Sequence, residues 1–272
     1  MDHNRFYRLS SVLVIGFLFI ACQQNAQQLQ QAAQNVITGP YFYTRSSSLC
    51  LQTHVISGPN NIILSTQALV PASREFWIAP DGTGRIRQGS TGEPTFFSQQ
   101  ERQQWVSQGS PVFDAGIDEQ FGSGGLVAVD AQALPRTTNN LYNALQVETQ
   151  KMNRSGDGGI AETVRDIMGE QPVPDEVQRE MYNVVRQLPH AIVQPNSADS
   201  IGRVGTVIRI PDSLNGMQVE HVLIFDSQSY QLLETDDVLV ASAPWLQIQQ
   251  PTSFCRTTYH TRGTVSTTLL TQ

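Results

Sequence analysis

Five apolar residues near the middle of the chain constrain the fold most. Val177, Met181, Val184, Val185 and Leu188 fall at offsets 0, 4, 7, 8 and 11, which is one face of an α-helix. Pro174 in the first turn, with Asp175 and Glu176 beside it, starts this helix, and Pro189 stops it. Two more helices are expected ahead of it. Thr138 or Asn139 caps the first, which carries Leu141, Leu145 and Glu148 on one side. Ser155 to Gly169 makes the second, striped by Ile160, Val164, Ile167 and Met168. The sequence on both sides of this block has strand character, and a helical face in a mostly β protein must bury against something. The expected fold is α+β: a curved, mostly antiparallel sheet, with a half-barrel as one form of it, and about three helices packed on one face.

The strand signals are uneven. Tyr41 to Ile56 alternates aromatic and β-branched residues, and Ser253 to Val265 is also strand-like. Phe76-Trp-Ile78 and Arg85-Ile-Arg87 flank Pro80-Asp-Gly82, in which proline presets φ, aspartate bonds back to the chain and glycine accepts positive φ. That reads as a β-hairpin. Thr206 to Ile210, Val219 to Asp226, Tyr230 to Thr235 and Val238 to Ala241 are further candidates. Asp226 to Ser229 and Leu214 to Met217 are turns, and Asp236-Asp237 is expected as a solvated turn. Ser98 and Glu101 form a capping box at the head of a short helix over 98–108. From Ser110 to Arg136 the Gly, Asp and Pro content predicts a long surface connection.

The amino-terminal segment bears on location rather than fold. Arg5 and Arg8 precede an apolar run, Leu9 to Ala21, of secretory length and too short to span a bilayer comfortably. Cys22 follows Ala21, and the chain then turns polar. This predicts a signal peptide over 1–21 and lipid attachment at Cys22, with a Gln-rich stalk over 22–38 and one α+β domain over 39–272. Cleavage after Ala26, releasing a soluble protein, and an uncleaved anchor are the rival readings. Two or more acyl chains hold a protein at its membrane far more firmly than one. The expected location is the outer face of the cytoplasmic membrane or the cell surface.

An exported chain is free to oxidise the remaining cysteines, Cys50 and Cys255. A bridge between them would tie the first strand to the last; two separate buried thiols are the other reading. The net charge is −7, with one lysine, Lys151, and no basic run. This argues against nucleic acid as a partner and against electrostatic docking on anionic lipid.

Motifs of catalysis are missing. The histidines other than His3, namely His54, His190, His221 and His260, do not stand at metal-ligand spacing. Gly122-Ser-Gly124 only partly matches a nucleophile elbow, and the glycine-rich tract around it lacks the GK[ST] ending of a phosphate loop. His221 reads as a hydrogen-bonded sheet residue. No catalytic residue, cofactor or metal is assigned.

Several stretches together resemble a family: Tyr41-Phe-Tyr-Thr-Arg45, Ser73-Arg-Glu-Phe-Trp-Ile78, Asp81-Gly-Thr-Gly-Arg85, Gly92-Glu-Pro94, Phe121-Gly-Ser-Gly-Gly-Leu126, Ala133-Leu-Pro135 and Leu223-Ile-Phe-Asp226. They stand in the same order as in a group of exported, membrane-tethered proteins of no established activity, common in actinobacteria and related soil bacteria and often encoded beside sigma factors. The resemblance spans roughly residues 40 to 265 and implies a shared fold. The family's cytoplasmic segment and transmembrane helix are replaced here by a signal-like start, which argues against contact with a cytoplasmic sigma factor. Cys50 and Cys255 also depart from the pattern, as suits a bridge particular to this chain. The order of elements is similar, more loosely, to half-barrel lipoprotein carriers and envelope sensors. The leading expectation is a non-enzymatic, lipid-anchored binding or sensing domain. A carrier of lipid or lipoprotein, and a hydrolase with dispersed active-site residues, are the alternatives.

Overall fold

The computed structural model describes residues 41–57, 63–123, 129–214, 216–241 and 251–266. The leader, Cys22, the stalk and residues 124–126 of the glycine tract lie outside them. Nine strands form one curved, unclosed sheet: β1 (Tyr41–Ser57), β2 (Ile63–Ile78), β3 (Gly84–Ser90), β4 (Ile117–Phe121), β5 (Ile192–Ala198), β6 (Val204–Leu214), β7 (Met217–Phe225), β8 (Leu232–Leu239) and β9 (Thr252–Val265). Their order across the sheet is β4-β3-β2-β1-β9-β8-β7-β6-β5, and every pairing is antiparallel. The first and last strands, β1 and β9, meet in the middle. Among the described residues four helices accompany the sheet: α1 (Gln99–Ser107), α2 (Thr138–Lys151), α3 (Gly156–Glu170) and α4 (Asp175–Arg186). The α+β architecture with helices on one face is the one that the periodicities predict.

Local chemistry explains the best-defined junctions. At the β2–β3 turn, Gly82 adopts φ 78°. Asp81 Oδ1 accepts from the Thr83 amide at 3.0 Å and from its hydroxyl at 2.6 Å. Ser98 Oγ caps α1 by accepting from the Glu101 amide at 3.1 Å. The stripe of α4 is buried throughout.

Other expectations are corrected. The residue that precedes α2 is Thr137, whose side chain makes no cap bond. Thr138 instead donates to Glu180 Oε2 of α4 at 2.5 Å. Thr149, rather than Glu148, is the buried residue below Leu145. The connection over 110–136 contains an edge strand, β4, held by the two-pronged Arg85–Asp118 ion pair and by Phe121 stacked on Phe76, 5.6 Å between centroids. The stretches Tyr230–Thr235 and Val238–Ala241 merge into one strand, β8, and Asp236 and Asp237 stand inside it, not at a turn. Asp236 is only 8% exposed, because Arg256 and Ser253 of β9 supply its hydrogen bonds.

The dry core lies over β6, β7 and β8. Ile208, Ile210, Leu223, Phe225 and Leu232 on the inner face pack with Leu141, Leu145, Ile160, Val164, Ile167, Met168, Met181 and Val184 of α2, α3 and α4. Helix α3 crosses the sheet. Near its start a Cβ at Gly158 would collide with the Asp212 carboxylate of β6; near its end a Cβ at Gly169 would collide with the Tyr259 hydroxyl of β9. Glycine at these two positions lets the helix lie flat on four strands.

Candidate functional site

The polar side chains of α3 meet the sheet at two places. At the first, His221 of β7 sits between two carboxylates. Its Nδ1 is 2.7 Å from Asp237 Oδ1 of β8 and its Nε2 is 3.2 Å from Asp212 Oδ2 of β6. Arg165 of α3 reaches Asp237 Oδ2 at 3.0 Å and also contacts Asp166 and Glu162, both of which are bridged by Arg154. His221 is 3% exposed. Burial alone would lower its pKa, but the hydrogen bond and charge of Asp237, joined by Asp212, raise it. Burial pushes Asp237 up, yet His221 and Arg165 hold it below the ordinary carboxylate value. The cluster therefore favours an imidazolium clamped between carboxylates. Both ring nitrogens are engaged, so no proton-accepting nitrogen is left for a serine, threonine or cysteine.

At the second place, past the end of the dry core, α3 and the sheet enclose a cavity of about 320 Å³. Its sheet wall includes Thr44, Ser46 and Ser48 of β1, Ala72, Arg74 and Phe76 of β2 and Thr257 and Tyr259 of β9; Arg165, Asp166, Gly169 and Glu170 form its helix wall. Arg74 pairs with Glu170 at 2.8 Å. Burial raises the pKa of Glu170 despite that partner. Two polar atoms of the lining, Thr44 Oγ1 and Arg74 Nε, are buried without a hydrogen-bond partner. Thr44 as a whole is 3% exposed. A buried polar atom left in this state costs about 1–3 kcal/mol, so something other than protein is expected to meet it. The hydroxyls lie on one face because alternate residues of β1 point the same way.

Cys50 and Cys255 also belong to this neighbourhood. They are directly opposite each other on β1 and β9 and joined by a disulfide, Cα to Cα 3.9 Å. Cys50 lines the cavity. A wider cleft of about 630 Å³ opens at the β2–β3 turn, beside Phe42, Ile78, Pro80, Ser123 and Thr264.

The histidines singled out in the sequence do not converge. His221 is in the buried cluster. His260 faces Ser47 Oγ at 2.7 Å from its Nε2, and burial followed by the charges of Arg203 and Arg45 lowers its pKa. Neither Ser47 nor His260 lines a cavity described above, and no described carboxylate hydrogen-bonds His260. His54 packs edge-on near Phe113, and His190 follows α4. Among the described residues no group of His, Cys, Asp and Glu is arranged to hold a metal ion, and no helix is long and apolar enough to cross a membrane. Sequence reading missed Asp212, Arg165, Thr44 and Arg74; only the strand alternation around Thr44 hinted at a shared face.

No protein-family model matches the chain, and no curated protein matches it. Among solved structures, the dehydratase domain from the CurK module of curacin polyketide synthase matches at 8% identity, over 88% of this chain and 79% of that one. Its TM-score of 0.16 is too low to carry an argument about fold or activity.

Proposed function

We propose that this chain is a non-enzymatic binding or sensing domain, exported and held at a membrane by lipid on Cys22, which takes a small polar ligand into the cavity between α3 and strands β1, β2 and β9. The observation that carries this reading is the pair of buried, unpartnered polar atoms, Thr44 Oγ1 and Arg74 Nε, in a concave wall of hydroxyls. The anchor and the kinship with exported, membrane-tethered proteins rest on the residues quoted from the sequence. The carrier alternative needs a lining suited to acyl chains, and the Ser, Thr, Arg and Glu side chains set among Ala72 and Phe76 suit a guest with polar groups better. The hydrolase alternative has one favouring observation, the Ser47–His260 contact, and predicts that Ser47→Ala abolishes any esterase activity of the chain.

Native mass spectrometry of the chain purified from membranes tests the reading. The expected result is a retained small molecule that a cavity-filling Ser48→Phe variant loses, together with an intact mass that includes acyl chains on Cys22. A ligand held equally by Ser48→Phe removes the cavity from the proposal, and a mature protein without acyl mass removes the anchor.

A further inference from the structure

Three arginines of this protein meet a carboxylate by the Nε–Nη2 edge of the guanidinium. Arg85 gives Nε and Nη2 to the two oxygens of Asp118 at 2.7 and 2.8 Å. Arg256 gives the same two nitrogens to one oxygen, Asp236 Oδ2, at 3.1 and 2.9 Å, and Arg87 gives them to Glu75 Oε2. The Arg85 pair is the two-pronged geometry that matches the fork to a pair of oxygens, and in all three the Nε–Nη2 edge takes the anion. Arg262 of β9 has the same edge buried, and neither Nε nor Nη2 has an acceptor.

Arg262 is not itself in the cavity wall but stands beside two residues that are. The Arg262 guanidinium lies over the Tyr259 ring, 4.3 Å from its centroid. In the ladder, Arg262 stands opposite Thr44, whose hydroxyl is the other orphan on that rung. Thr44 and Tyr259 both line the cavity. The remaining charges there are already matched: Arg74 with Glu170, Arg165 with Asp237, and Asp166 with Arg154. Beside them, Arg262 has no ion pair among the described residues. Burial lowers its pKa to about 10, so it stays protonated at neutral pH. Arg262 as a whole is half-buried, but its Nε–Nη2 edge is shut off from solvent without an acceptor; leaving such donors unmet is costly, and an incoming anion would relieve it.

We propose that the Nε–Nη2 edge of Arg262, together with the Thr44 hydroxyl, receives the carboxylate or phosphate group of the ligand that enters the cavity. This rests on the cavity being the binding site and adds that its guest is an acid. Carboxylate and phosphate present the same pair of oxygens, and the test separates them.

The ¹⁵N-labelled full chain is titrated with sodium acetate and, separately, with inorganic phosphate at constant ionic strength, and the Nε–H resonance of Arg262 is followed. That resonance is assigned by its absence in Arg262→Lys. A saturable shift in the acetate arm assigns a carboxylate, and one in the phosphate arm assigns a phosphate. In Thr44→Val the midpoint should weaken about tenfold, as for a lost hydrogen bond to a charged group. No saturable shift in either arm of the wild-type titration overturns the proposal, and that arm does not depend on any variant folding. Retention of the natural ligand by Arg262→Gln also overturns it while leaving the cavity as the binding site. A saturable Arg262 shift in a protein whose Ser48→Phe variant still keeps its ligand would instead sink the cavity reading and leave the anion site standing.

Discussion

Over β6, β7 and β8 the inner face of the sheet carries Ile208, Ile210, Leu223, Phe225 and Leu232 and is sealed by three helices. Over β1, β2 and β9 the same face carries Thr44, Ser46, Ser48, Arg74 and Thr257 beside Ala72 and Phe76, and the end of α3 lies over it with a cavity between. The strands are continuous across the boundary and share one hydrogen-bonded ladder. The backbone thus permits either outcome, and the side chains on alternate positions decide it. Where they are branched and apolar, helices dock and water leaves. Where short hydroxyls stand among them, there is less apolar area to reward docking, and the space remains available to a guest with polar groups. His221, Asp237, Arg165 and Tyr259 lie along the boundary under α3.

That comparison can be broken or sharpened by experiment. The largest effect is expected at the boundary. Truncating one member of a buried ion pair costs about 3–5 kcal/mol, so His221→Ala should show a loss of that order in chemical denaturation. The same residue sets a pH response. Its folded pKa lies above the ordinary 6.5, so its contribution is complete below that value and is lost as pH rises through the folded pKa. Asp237 is shifted below 3.8; its contribution is present above that value and lost as pH falls through the lower folded pKa. Wild-type stability should therefore decline on the alkaline side of 6.5, and His221→Asn should flatten that limb. An unchanged limb in the variant would detach His221 from it.

Next comes the contrast between the halves themselves. Leu145→Ala in the sealed half should cost about 2–5 kcal/mol, against less than about 0.5 kcal/mol for Ser48→Ala at the cavity wall. Comparable losses at both sites, measured by urea titration, would mean that the second half is packed as tightly as the first. Replacing both Cys50 and Cys255 by serine should cost about 2–5 kcal/mol. Native-state hydrogen exchange should place the loss first in β1 and β9, with β6 and β7 still protected; uniform deprotection would show that the halves unfold as one unit. The smallest effect is expected at α1, where Ser98→Ala should lower stability by about 1 kcal/mol, read as a small shift of the denaturation midpoint.

How much of this was legible depends on where the partners lie in the chain. The β2–β3 hairpin and the α4 stripe are written in contiguous residues, and both were readable. Ser98 and Glu101, three positions apart, announce their helix for the same reason. Strand β4 (Ile-Asp-Glu-Gln-Phe) has no alternation to detect; it forms because Arg85 and Phe76 on other strands hold Asp118 and Phe121. Strand β5 contains Pro195 at a break in register and is exposed along most of its length, so its local pattern points to a loop. Asp236 and Asp237 look like a turn until Arg256, Arg165 and His221 arrive from β9, α3 and β7. The buried cluster was partly visible, since His221 reads as a bonded sheet residue, but neither aspartate could be joined to it without the fold. The cavity and Arg262 were invisible: an arginine lacking a partner is a statement about three-dimensional neighbours.

The covalent link between β1 and β9 has a mechanical consequence. Tyr41 and Val265, at opposite ends of the described chain, stand side by side on one rung, and Cys50 and Cys255 stand nine residues further along β1. Tension entering at Tyr41 loads β1 in shear between two long antiparallel neighbours, where many hydrogen bonds must yield together. Slippage past β9 can travel only as far as the sulfur bond, so a tug from that end is borne by a short clamped segment while the helix-covered strands beyond it carry no load.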